Sequence, residues 1–282
     1  MDEKTTAVLS FSVASYNVLA SAYIQPALYR RTSSIVLHSS WRIPALLQHI
    51  IRLQADIICL QEVEDQLFAA LRARMGASGY GAQYRRKSSG QPDGCAVFYR
   101  QDLFDLIDVR VIPYADRAGE APDAGNIALI TLFESVCGRI GIVNTHLTWD
   151  PPDTAPELQR GFRQLRQLLV EQSSIADAAK GWIIAGDFNA LPGSESISLM
   201  ENAGFQYAHC GIAGVNTCNV NGTAKMIDYL FCSPSLRAEP LPVSPVEDQT
   251  VLPSAEQPSD HVPIAARFSW LENRSTLATK SA

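Results

Sequence analysis

The chain is a series of short apolar runs that stop abruptly at polar residues. Phe11 to Asn17 alternates apolar with small polar side chains, a period of two that predicts a strand ending at Asn17. Ala55 to Leu60 and Trp182 to Ala185 are continuous apolar runs too short for helices, as expected of strands buried on both faces. Gly94 to Tyr99, Asp105 to Ile112, Ile127 to Phe133, Arg139 to Asn144, Met226 to Phe231 and a last run ending near Phe268 add further strands.

Helical spacing recurs between them. Apolar positions 43, 46, 47, 50 and 51 mark an amphipathic helix from Trp41 to Leu53, with His49 and Arg52 on its wet side. A second helix is expected around Gln66 to Met75. A third, from Leu158 to Ala178, carries Phe162, Leu165, Leu168 and Leu169 on one face, and a short fourth spans Ser194 to Ala203 before the stop residue Gly204. Tyr114 to Gly125, Gly211 to Gly222 and the proline-rich stretch Pro234 to Gln257 read as loops. Runs of consecutive strands predict packed mixed sheets rather than one parallel sheet. No linker divides residues 1–270, so one domain is expected there, with a disordered tail at 271–282.

Composition narrows the class. The chain is 46% hydrophobic and 18% charged, ordinary for a globular protein. A net charge of -6 argues against broad, salt-driven binding to duplex nucleic acid. A local basic patch is still allowed, and Arg85, Arg86 and Lys87 beside a glycine-containing turn read either as a solvated face or as a phosphate-guiding edge. The six cysteines include no CxxC pair and read as reduced core thiols. No stretch is apolar enough to span a membrane and the N-terminus lacks a secretory pattern, so a cytoplasmic protein is expected.

Chemistry collects where strands end. Asp187 and Asn189 follow the Trp182 run and, two residues apart on a strand, would aim two hard oxygens at one point; an Asx-turn would use the same pair. Glu62 ends the second strand, where it either joins that site or caps the next helix. Asn17, His146, Asp260 and His261 also fall at strand ends, and Asp228 lies inside a strand, where an unpaired charge would be costly without a partner. Loops at one end of packed strands can converge on one cleft. Carboxylates and amides without cysteine point to Mg²⁺, with Mn²⁺ as a substitute, and so to water-driven cleavage of a phosphate ester. Asp228 could fix the tautomer of His261, His146 could donate to a phosphoryl oxygen, and Asp187 could position or deprotonate the attacking water.

The ordered motifs SYNVLA (15–20), LQEVE (60–64), NTHL (144–147), GDFNALPGS (186–194), IDYLF (227–231) and SDHVP (259–263) resemble the endonuclease/exonuclease/phosphatase superfamily. The resemblance implies the DNase I-like fold, a four-layer α/β sandwich with two mixed sheets face to face and helices outside. It also implies that Glu62 binds Mg²⁺ and that Asn17, Asp187 and Asn189 hold metal, water or phosphate, with His146, Asp228, Asp260 and His261 completing the site. Asp260 is counted among the candidate metal ligands.

DGCAVFYR (93–100), HLTWDP (146–151) and LPSAEQPSDH (252–261) look most like the branch of poly(A) deadenylases, nocturnin, angel proteins and 2′-phosphodiesterases. That branch implies a 3′-5′ exoribonuclease or nucleotide phosphatase acting on RNA ends or adenine ribonucleotides. A broader nuclease or phosphatase of the same fold, acting on DNA or phosphorylated lipids, is the alternative, and a non-catalytic binding module a third. Pro151 matches a proline that flanks an adenine in the deadenylases, but Thr223 stands where their aromatic partner would be, which counts against strict poly(A) preference. No leucine-rich repeats precede the motifs, so partner docking through such repeats is not expected.

Overall fold

Two six-stranded sheets, each carrying its polar ends to the same edge, make up the centre of the computed structural model, which describes residues 10–88, 90–115, 125–151 and 153–271. The strands are β1 (Ser10–Asn17), β2 (Ile57–Glu64), β3 (Tyr80–Arg86), β4 (Asp93–Arg100), β5 (Asp105–Pro113), β6 (Ile127–Glu134) and β7 (Ile140–His146). They continue with β8 (Gly181–Asp187), β9 (Gln206–Tyr207), β10 (Cys218–Val220), β11 (Thr223–Lys225), β12 (Asp228–Cys232), β13 (Leu236–Pro240) and β14 (Ile264–Trp270). The helices are α1 (Ser34–Leu37), α2 (Ser39–Arg52), α3 (Asp65–Gly76), α4 (Arg160–Ser174) and α5 (Glu195–Asn202).

One sheet has the order β13-β14-β1-β2-β4-β3 and the other β5-β6-β7-β8-β12-β9. The pairs β1/β2 and β7/β8 are parallel and the remaining neighbours antiparallel, so both sheets are mixed. Strand alternation assigns each apolar residue to a layer. Val13, Ile57, Cys59, Ile183, Ala185 and Leu230 share the core between the sheets. Their neighbours Ala14, Tyr16, Ile58 and Leu60 face outward onto Leu46 and Ile50 of α2 and Leu67 and Leu71 of α3. On the far side, Trp182 and Ile184 meet Leu165 and Leu168 of α4 and Ile197 and Met200 of α5. This is the four-layer sandwich, and it explains why the central strands are apolar on both faces.

A buried polar clasp joins the sheets near the edge where chemistry collects. Gln61 Nε2 donates to Asn144 Oδ1 at 2.7 Å, and Asn144 Nδ2 donates to the carbonyls of Leu60 and Ala96, each at 2.9 Å. Both side chains are fully buried, where an unpaired amide would cost about 1–3 kcal/mol, so the clasp fixes the two sheets against sliding.

Several expectations need correction. Tyr80 to Arg86, for which no strand was expected, forms β3, paired along its length with β4, so Arg85 and Arg86 lie on a strand. The loop read over 211–222 ends in the β10/β11 hairpin, whose Asn221-Gly222 turn has both residues at positive φ, 56° and 78°. The 234–257 loop contains β13, an edge strand that ends at Pro240, where a missing N–H does no harm. His49 is half-buried, its ring 5.5 Å from that of Tyr16, rather than on the wet face. Residues 116–124 of the expected central loop and the tail at 272–282 lie outside the described residues.

Candidate active site

Strand register builds the centre of the site. In the parallel pair β7/β8, His146 stands opposite Asp187, and in the antiparallel pair β8/β12, Asp187 stands opposite Asp228. Three adjacent strands thus place an imidazole and two carboxylates side by side. His261 joins from the segment before β14, held by an isolated bridge to Cys218. Its Nδ1 lies 2.8 Å from Asp228 Oδ2. Asp228 therefore has the partner its burial demands.

The other sheet delivers Asn17 and Glu62. A bulge in β2 between Leu60 and Val63 puts Glu62 at φ 59° and turns its carboxylate out of the ladder toward the site. It does not cap α3, whose first residue is preceded by Glu64. Glu62 Oε2 accepts from the backbone N–H of Ala20 at 2.8 Å, and Oε1 accepts from Asn17 Nδ2 at 3.0 Å. The same Asn17 nitrogen donates to Asp187 Oδ2, also at 3.0 Å. Residues 45 and 170 positions from Asn17 are joined by one amide.

Asp187 ends β8 rather than following it, after Gly186 at φ 151°, where a Cβ would lie 1.9 Å from the Thr145 carbonyl oxygen. Only glycine lets the two parallel strands approach this closely. Asn189, at φ 50°, has left the strand, so it does not share a face with Asp187 by alternation as expected. The turn is real as well: Asp187 Oδ1 accepts from the Asn189 N–H at 2.9 Å, leaving Oδ2 for the site. Asn189 Nδ2 donates to the Leu147 carbonyl at 2.9 Å and lies 3.3 Å from His146 Nε2.

The two histidines differ in charge. Burial holds His146 well below its usual range, reinforced by Lys87 and by His261, so it is neutral. Lys87 Nζ lies 3.4 Å from His146 Nδ1 and Asn189 Nδ2 lies 3.3 Å from Nε2, two donors facing a neutral ring that has one acceptor nitrogen. Burial also opposes charge on His261, but Asp228, its hydrogen bond and Asp187 outweigh it, and His261 stays protonated well above the ordinary range. Burial raises both acids. Asp187 is pushed up to about 7, with Asp228 adding to burial and His261, Asn17 and the Asn189 N–H opposing it. Glu62 is raised by burial and by Asp260, against Lys87, Asn17 and the Ala20 N–H.

These acids lack enough positive charge. Asp228 Oδ1 is buried with no hydrogen-bond partner, and Asp187, Asp228 and His261 offer ligand atoms all within 4.8 Å of one another. Because His261 Nδ1 is already engaged with Asp228, that trio reads as a proton-handling pair beside a carboxylate. Glu62 and Asp187, facing each other across Asn17, are the hard oxygen donors that fit a divalent cation. Asn17 meets them with its amide nitrogen while Oδ1 accepts from the Leu19 N–H at 2.9 Å, so as a ligand it would have to turn its amide over. Asp260, expected among the ligands, uses Oδ2 for Tyr29 Oη at 2.8 Å and lies 3.4 Å from Ser259 Oγ through Oδ1.

Sequence reasoning placed Lys87 on an exposed edge, but it is buried in an ion pair with Asp93 at 2.9 Å. Tyr23 Oη also donates to Asp93, at 2.6 Å. Of the other two cations, Arg86 is exposed and paired with Asp65 at 3.1 Å, and Arg85 is exposed. Arg42, 1% exposed and not anticipated, donates to the carbonyls of Val18, Leu19 and Pro258 and so ties the segment after β1 to the Asp260 segment. Its signal was its spacing, four residues before Leu46 and eight before Ile50, which puts it on the buried stripe of α2. A cleft of about 870 Å³ opens over these groups, lined by Glu62, His146, Asp187, Asn189, Asp260 and His261. Trp149, Phe162, Thr223 and Lys225 also line it, whereas exposed Pro151 does not.

The chain belongs to the Endonuclease/Exonuclease/phosphatase family, whose sequence pattern matches residues 14–261. Protein angel homolog 2 of Homo sapiens is 33% identical over 221 residues, covering 73% of this chain and 39% of the relative. The CCR4-Not complex 3′-5′-exoribonuclease subunit Ccr4 of Candida glabrata is 28% identical over 333 residues, covering 96% of the chain and 38% of the relative. The chain thus spans about two fifths of the length of these relatives. The crystal structure of ANGEL2, a 2′,3′-cyclic phosphatase, in complex with adenosine-2′,3′-vanadate, superposes with a TM-score of 0.81 at 26% identity, over 93% of this chain and 96% of that one. The fold and the branch implied by the motifs are therefore those found.

Proposed function

We propose that the chain is a Mg²⁺-dependent phosphoesterase that hydrolyses phosphate esters of RNA 3′ ends or adenine ribonucleotides, with residues 10–271 acting as one catalytic unit. The observation that carries the reading is the neutral His146 and the charged His261 on either side of Asp187 Oδ2, at 3.6 and 3.7 Å. Environments that push paired titratable groups apart assign acid and base roles. The relatives named as an exoribonuclease subunit and as a cyclic phosphatase support the substrate class. The free, mostly buried cysteines fit a reducing compartment such as the cytoplasm. Among the described residues no helix is long and apolar enough to cross a membrane.

Glu62 and Asp187 would hold the cation, with Asn17 and Asn189 beside them; when bound it neutralises phosphoryl charge and makes water a better nucleophile. Asp187 orients the water and accepts its proton as the oxygen attacks phosphorus and the ester oxygen leaves. His261, kept cationic by Asp228, stabilises the charge that develops on the phosphoryl group, and His146 donates a hydrogen bond to a phosphoryl oxygen. Trp149, 57% exposed on the cleft wall, supplies the aromatic face that Thr223 does not.

The test is a rate comparison in Mg²⁺ on oligo(A), mixed RNA, single-stranded DNA, NADP⁺ and 2′-5′-linked oligoadenylate. Faster turnover of the RNA or adenine ribonucleotide substrates is expected. A preference for DNA, or no hydrolysis of any, refutes the reading.

A further inference from the structure

The catalytic cleft does not end at the catalytic cluster. A groove of about 210 Å³ adjoins it, and Leu28, Tyr29 and Asn221 line both. Tyr29 links the two spaces chemically, since its hydroxyl donates to Asp260. Arg30 and Arg31 line the groove side by side, and both are exposed.

These arginines are held in place without being neutralised. Arg31 Nη2 donates to the Gln249 carbonyl at 2.7 Å, and Arg30 Nε to the Ala27 carbonyl at 3.2 Å. Each keeps further N–H donors. Among the described residues neither lies in an ion pair, whereas exposed Arg86, Arg100, Arg110 and Arg139 each have a carboxylate within 3.1 Å. In a chain of net charge -6, two adjacent guanidiniums without an ion pair, on a groove that adjoins a phosphate-ester site, offer charged donors to phosphate oxygens. The groove wall is also fixed. Asn219 Nδ2 donates to the carbonyls of Glu247, Asp248 and Thr250, and the Asn221-Gly222 turn lies beside them.

We propose that this groove is a subsite for the sugar-phosphate backbone of a single-stranded RNA, with Arg30 and Arg31 contacting phosphates beyond the scissile one. The inference rests on the phosphoesterase reading and deepens it: the substrate is a strand, not a lone nucleotide. A small substrate would occupy the catalytic cluster and leave the arginines idle.

Two measurements on the Arg30→Ala/Arg31→Ala double variant test it. Anisotropy of a labelled single-stranded RNA 20-mer in EDTA should show affinity weakened by about tenfold, the size expected on losing two charge-assisted contacts. The slope of log affinity against log salt should fall by about 1.4, roughly 0.7 per phosphate contact. The Arg30→Lys/Arg31→Lys variant should restore the slope, which a merely structural effect on the Gln249 contact would not predict. In Mg²⁺, kcat/KM on the 20-mer should fall while hydrolysis of adenosine 2′,3′-cyclic phosphate stays unchanged. Unaltered RNA affinity and slope, or an equal loss on both substrates, overturns the proposal. Weakened RNA binding in a protein that hydrolyses neither substrate would uphold the groove and refute the phosphoesterase reading.

Discussion

His146 and His261 present their Nε2 atoms to the same oxygen, Asp187 Oδ2, at 3.6 and 3.7 Å, yet one ring is neutral and the other charged. The difference comes from the second ring nitrogen: Lys87 faces one and Asp228 the other. Because His261 is charged below its raised pKa, activity should decline as pH rises through that value. Replacing Asp228 with Asn removes the anion, so the alkaline decline should move to lower pH, with kcat reduced by about 10²- to 10⁴-fold. An alkaline limb in the same place in both proteins would separate Asp228 from the charge on His261.

The acids make an opposite prediction for stability. Glu62 and Asp187 have raised values in the folded chain, so folding favours their protonated forms. Their contribution is present at low pH and is lost as pH rises through the folded-state value, about 7 for Asp187. Bound Mg²⁺ compensates the charge that then appears. The gain in melting temperature on adding Mg²⁺ to EDTA-treated protein should therefore grow from about pH 5 to about pH 8. A gain that is flat across that range, or larger at the acid end, contradicts the assignment.

Lys87 and Arg86, adjacent in sequence, should behave differently. Lys87 and Asp93 are 4% and 0% exposed, and breaking a buried pair typically costs about 3–5 kcal/mol. Lys87→Met should destabilise on that scale and lower turnover. Arg86 and Asp65 are 48% and 62% exposed, so Arg86→Ala should cost no more than about 1 kcal/mol and leave turnover intact. Chemical denaturation of both variants checks this, and equal losses would mean the burial difference has no energetic weight.

Much of this was legible in the chain. Continuous apolar runs marked the buried strands, and Asn17, Glu62, His146, Asp187, Asn189, Asp228 and His261, singled out at or in those runs, come together at one edge of the two sheets. What was not legible depends on tertiary context. Lys87 reads as a third member of a surface charge run because pattern cannot show that β3 places it under Tyr23, beside Asp93. Asn189 reads as a strand neighbour of Asp187 because its positive φ is invisible in sequence. Arg42 hides in an amphipathic helix, since its carbonyl partners come from Val18, Leu19 and Pro258. The β10/β11 hairpin was within reach, because Asn221-Gly222 is a turn signal between two short runs.

Trp149 should bear on base recognition. Removing a stacking aromatic costs about 1 to 3 kcal/mol, so Trp149→Ala should raise KM on oligo(A) by roughly 5- to 150-fold with kcat little changed. Steady-state kinetics on oligo(A) and on an abasic oligonucleotide of equal length distinguish stacking from a general structural effect. Equal losses on the two would exclude stacking.

The central claim is that Glu62 and Asp187 meet to hold a divalent cation for ester hydrolysis. Hydrolysis of oligo(A) by wild type, Glu62→Gln and Asp187→Asn, each with Mg²⁺ and with excess EDTA, tests it most directly. Melting temperatures at or above wild type are expected in EDTA, since each variant removes an under-compensated buried charge, with turnover at least about 100-fold lower in both variants and in wild type with EDTA. Undiminished hydrolysis in EDTA, or in either variant, would contradict it.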